Sequence, residues 1–116
     1  QRTTSKEQAR RLIAAELTPT FLQENGAVTV ENHLNMLVPL GDVQRVDTAT
    51  LAAFLNSGAA DRAFRCISGS VAVSSYELEA MPVPTVAAMQ ALTKLLRGKH
   101  TRADIERVCN RLYGNA

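Results

Sequence analysis

The side chains with the most evident chemistry in this chain are basic, and they gather at two places far apart in the sequence. Residues 1–11 hold Arg2, Lys6, Arg10 and Arg11 against Glu7 alone, and residues 94–102 hold Lys94, Arg97, Lys99 and Arg102 with no acid. The stretch between residues 24 and 47 leans the other way, with Glu24, Glu31, Asp42 and Asp47 against Arg45. The whole chain of 116 residues carries a formal charge of only +2, so distribution says more than total. Two basic runs that meet in space would face a polyanion; if they stay apart they are solvated helix faces. Arg and Asn side chains can grip base edges in pairs of hydrogen bonds, and Lys, Ser and Thr serve phosphates. Five aromatics, Phe21, Phe54, Phe64, Tyr76 and Tyr113, are too few for a stacking platform, which argues against a single-strand binder.

Other chemistry is thin. No glycine-rich loop follows a strand and opens a helix, so no nucleotide cradle is visible. His33 and Glu31 share one face of an expected strand without a nucleophile beside them. Ser68-Gly69-Ser70 reads as an anion nest or as a simple turn. Cys66 and Cys109 lack a nearby Cys or His and read as buried free thiols in a reducing cytosol. His33 and His100 complete no metal-ligand spacing, so no metal site and no catalytic residue are expected. No apolar run approaches the roughly 18 residues of a membrane span, and no secretory pattern opens the chain. A cytoplasmic piece or processed product, beginning at Gln1, is the expectation.

The elements that must position these residues follow from periodicity. Thr4 and Glu7 form a capping-box pattern ahead of Ala9, Leu12, Ile13 and Leu17, a helical face that Pro19 ends. Val28, Val30, Leu34, Met36 and Val38 alternate as in a strand, with Asn32 on their side and Glu31, His33 and Asn35 opposite. Asn32 is expected to be a buried, hydrogen-bonded structural residue. Asp47 or Thr48 caps a helix bearing Leu51, Phe54 and Leu55, which Asn56-Ser57-Gly58 breaks. The next helix turns Ala60, Ala63, Phe64 and Ile67 inward and Arg62 and Arg65 outward. Val71 and Val73 read as a short strand, and Met81-Pro82-Val83-Pro84 as extended chain. Thr85 opens a helix to Arg97, and Thr101 with Asp104 caps a last one carrying Ile105, Val108, Cys109 and Leu112. This hairpin at 85–113 is a weak signal for a helix-turn-helix. The pattern predicts an α+β fold in which a small mixed or antiparallel sheet, built from 27–38 and 70–74, packs against about five helices. Leu12, Ile13, Val30, Leu34, Leu51, Phe54, Leu55 and Phe64 are its expected core.

Several segments resemble the C-terminal region of adenine-specific DNA methyltransferases of type II restriction–modification systems. They are Gln1-Arg2-Thr3-Thr4-Ser5-Lys6-Glu7 with Arg10-Arg11, Glu31-Asn32-His33-Leu34-Asn35, Leu51 through Ser57, Asp61 with Phe64-Arg65, and Gly69 through Leu78. The resemblance spans roughly residues 1–84 and implies a partial target-recognition domain there; residues 85–116 lie beyond it and are expected, from their own helical spacing, to form a helical hairpin packed on it in one globular unit. It implies double-stranded DNA as a partner and an upstream catalytic domain that binds S-adenosylmethionine, with no cofactor held by this chain. The DNA-contacting residues it suggests are Lys6, Arg10, Arg11, His33, Asn35, Arg65, Ser68, Ser70 and Ser74, with Asn32 and Asn56 structural. Relatives often carry His, Gln and Asn where this chain has Ser70, Ala72 and Ser74, which reach less far. The alternative is a structural or dimerisation domain that does not bind DNA.

Overall fold

The computed structural model describes residues 10–31, 33–41, 44–69 and 72–113. Among them the chain forms helices α1 (Pro19–Asn25), α2 (Thr48–Leu55), α3 (Gly58–Arg65), α4 (Ser75–Ala80), α5 (Val86–Arg97) and α6 (Arg102–Leu112). Local capping explains where each begins. Thr18, Asp47, Ser57, Ser74, Thr85 and Thr101 each accept a hydrogen bond from the amide three residues on. Thr101 and Asp104 complete a reciprocal capping box.

The centre of the molecule is a four-helix arrangement. The α5–α6 hairpin lies against α2 and α3, and the two pairs share one core. Phe54, Ala60, Phe64, Leu92 and Cys109 are fully buried in it. Thr50 and Thr93 link α2 to α5 by a hydroxyl–hydroxyl hydrogen bond of 2.9 Å. Tyr113 packs its ring on Phe54, centroids 6.0 Å apart, and donates its hydroxyl to the Pro82 carbonyl at 2.9 Å. Burial pushes the pKa of the Cys109 thiol up.

The α+β expectation is overturned: the described residues are helical or irregular and hold no sheet. Residues 27–31 and 33–38 are irregular, and of residues 72–74 Ala72 shows a backbone bridge while Val73 and Ser74 are irregular. The apolar alternation at 28–38 is not organised into a strand among the described residues. Leu34, Met36 and Val38 consequently stay exposed instead of forming a core face. Val30, Ile13 and Leu51 are half-buried, while Leu12, Phe54, Leu55 and Phe64 are core. Ile67 and Cys66, expected inside, are exposed where α3 has ended.

The helix expected to run up to Pro19 is also absent across 10–18, which is extended, and its capping box at Thr4 lies outside the described residues. Pro19 starts α1 instead, at a first-turn position where the missing N–H is no loss. Val73 is buried, but Ser74 caps α4 instead of continuing a strand. Replacing the fully buried Phe64 with Ala is expected to cost about 3–5 kcal/mol. Leu34→Ala, on exposed chain, should change stability by about 0.5 kcal/mol or less. Urea unfolding of the two variants checks the contrast.

Candidate nucleic-acid interface

The extended segment 10–16 is held against the α2–α3 corner by side chains rather than by a sheet. The Asn56 carboxamide accepts from the Ala14 amide at 2.9 Å and donates to the Ala14 carbonyl at 2.8 Å, as a neighbouring strand would. Asp61 accepts the Arg11 amide at 2.5 Å and the Leu12 amide at 3.4 Å on one oxygen. Its other oxygen takes the Arg65 guanidinium at 2.6 Å. Glu16 accepts the Thr48 hydroxyl at 2.6 Å. Burial acts to raise the Asp61 pKa, but the Arg11 amide and the Arg65 guanidinium outweigh it and hold the carboxyl below its ordinary range.

This clamp sets basic side chains on one face around α3. The two basic runs of the sequence meet there: Arg10 and Arg102 both donate to the Asn56 carbonyl, Arg102 at 2.5 Å. Arg102 also pairs with Glu106 at 2.9 Å, and Glu106 accepts the Gly58 amide at the start of α3 at 2.9 Å. Arg62 bonds the Asn110 side chain. With Arg65 on Asp61, four arginine side chains gather around the carboxylates of Asp61 and Glu106, while Arg11 contributes its backbone amide.

The expected contact residues divide. The Arg10 and Arg65 side chains belong to this face and Arg11 bonds Asp61 through its backbone amide, while Lys6 and Ser70, and the expected structural residue Asn32, lie outside the described residues. His33 is exposed and holds Glu31 at 2.7 Å, an interaction that lowers the Glu31 pKa. Asn35 donates to the Val73 carbonyl at 2.9 Å. Ser74 caps α4 and donates to Glu77 at 2.8 Å. The Ser68 hydroxyl is buried without a bond of good geometry, and lies near enough to Glu77 to help lower that carboxyl. The residues missed as contributors are Asp61, Arg62, Arg102 and Glu106. Arg62 was legible as an outward residue and Arg102 as part of a basic run, but nothing local joined them.

Among the described residues no cluster of His, Cys, Asp or Glu is arranged to hold a metal ion, and no helix is long and apolar enough to cross a membrane. A helical module with an arginine-rich face is the class these features define. The chain is 34% identical over 86 residues to the type II methyltransferase M.BsuBI of Bacillus subtilis. The match covers 73% of this chain and 17% of that protein, so the chain is related to one part of a type II methyltransferase and spans less than a fifth of its length. No protein-family profile matches the chain. No solved structure matches it either.

Asp61→Ala leaves the Arg11 and Leu12 amides without their acceptor and should cost about 1–3 kcal/mol. A carboxyl with a lowered folded-state pKa stabilises fully above its ordinary value of 3.8 and loses that contribution as pH falls toward the folded value. The wild-type chain should therefore lose stability more steeply below pH 3.8 than Asp61→Asn, as read from chemical unfolding at a series of pH values.

Proposed function

We propose that this chain is a DNA-binding, target-recognition region of an adenine-specific DNA methyltransferase of a restriction–modification system. The observation that carries the reading is the 34% identity to part of a type II methyltransferase. The arginine face around α3 supports it, because clustered guanidiniums suit a phosphate backbone. Lys6, Arg10, Arg11 and Arg65 are the proposed backbone or base contacts. His33, Asn35, Ser68, Ser70 and Ser74 are the further proposed contacts.

The partner enzyme domain, elsewhere in the parent protein, would bind S-adenosylmethionine and transfer the methyl group, while this region grips the duplex. A second reading, a protein-interaction module, is favoured by the exposed apolar residues Leu34, Met36, Leu37, Val38 and Leu40. Salt separates the two, because phosphate contacts release counterions and an apolar interface does not. The chain should bind mixed-sequence duplex DNA with a Kd of roughly 10⁻⁴ to 10⁻⁶ M at physiological salt. Arg10→Ala and Arg11→Ala should each lower the slope of log K against log salt by about one unit. Salt-independent association, or none, would favour the interaction module. Isothermal calorimetry with S-adenosylmethionine is expected to give no stoichiometric binding to this chain, in keeping with a cofactor held by the catalytic domain.

A further inference from the structure

We propose that Arg10, Arg62 and Arg102 form a phosphate seat at the α2–α3 corner, taking the phosphodiester backbone of duplex DNA. The proposal rests on the DNA-binding reading above and names where the backbone sits. Three sequence segments build it. Arg10 comes from the extended segment, Arg62 from α3 and Arg102 from the first turn of α6.

Arg10, Arg102 and Glu106 are joined by hydrogen bonds through Arg102 and the Asn56 carbonyl, and the Arg62 guanidinium lies beside them. Arg10 and Arg102 share the Asn56 carbonyl. Arg102 holds Glu106, and a Cβ placed on Gly58 would lie 3.1 Å from the Arg62 terminal nitrogen and 3.3 Å from the Glu106 carboxylate. Gly58 thus leaves the space in which Arg62 and Glu106 crowd over the start of α3. Among the described residues Glu106 is the carboxylate bonded within this group, so three cations beside it leave a local excess of two positive charges.

Neutral acceptors take up the rest of the contacts. Among the described residues, Arg10 uses its Nη1 on Asn56, and Arg62 uses its Nη2 on Asn110. Arg102 uses its Nη2 on Asn56 and Glu106. One terminal nitrogen of each fork is engaged, and the remaining donors are available to another acceptor. Arg62 and Arg102 are exposed, so a ligand reaches them without opening the core. Guanidinium forks match the paired oxygens of a phosphodiester, and an excess of two charges suits two successive phosphates.

The test is titration of the 116-residue chain with a fluorescent mixed-sequence duplex at several salt concentrations, with helicity checked by circular dichroism. Arg62→Gln and Arg102→Gln should each lower the salt slope by about one unit, and the pair by about two. Glu106→Gln, which removes a negative charge from the seat, should tighten binding. Where a Gln variant does not fold, the Lys variant keeps the charge but loses the fork, and should weaken binding at an unchanged slope. Salt-dependent binding by the wild type that is indifferent to these replacements would overturn the seat and leave the DNA-binding reading standing. No salt-dependent binding by the wild type would remove that reading itself.

Discussion

Asn56 sits where two helices end and begin, and most of the molecule depends on how its three polar groups are used. Its amide closes α2 by bonding back to the Ala52 carbonyl. Its side chain pairs with both backbone groups of Ala14, and its carbonyl receives Arg10 and Arg102. Ser57 follows at once as the cap of α3, so the turn is only two residues long. A turn this short fixes the angle between α2 and α3, and that angle decides what the extended segment and α6 can reach.

The same corner explains why the segment at 10–16 is stable without a sheet. A backbone laid over a core must have its amides and carbonyls satisfied. Asn56 and Asp61 do this for Arg11, Leu12 and Ala14, which lets Leu12 enter the core from extended chain. Because Asp61 is itself held by Arg65 from the next turn of α3, the structural clamp and the basic surface are one set of side chains. Cationic residues here stabilise a buried carboxylate and also give the face its positive character.

The segment 12–17 also lines an apolar cleft of about 510 Å³, together with Val30, residues 34–38 and the flank of α2. Leu12, Leu55 and Val73 form its buried floor, while Leu34 and Met36 to Val38 remain open to solvent. Residues that alternate in the sequence place their apolar side chains along the cleft, but irregular backbone cannot press them into a second core layer.

The sequence by itself determined the elements whose signals lie within one turn of chain. The caps at Asp47, Thr85 and Thr101, the break at Asn56-Ser57-Gly58 and the spacing of Phe54, Leu55 and Phe64 place α2, α3, α5 and α6. Two further local signals were legible but outweighed by apolar patterns: Thr18-Pro19 for α1, and Ser74 with Glu77 three residues on for α4. The apolar spacing around Leu12 and Ile13 suits a helix as well as an extended segment buried on one side. The pattern at 28–38 suits a strand only if another strand is there to receive its hydrogen bonds. Tertiary structure decided both cases, and it alone brought Arg10 to Arg102 and Arg62 to Glu106. Those choices depend on partners more than 40 residues away in the chain, as in the Asn56–Ala14 and Arg62–Asn110 contacts, where no local periodicity can register them.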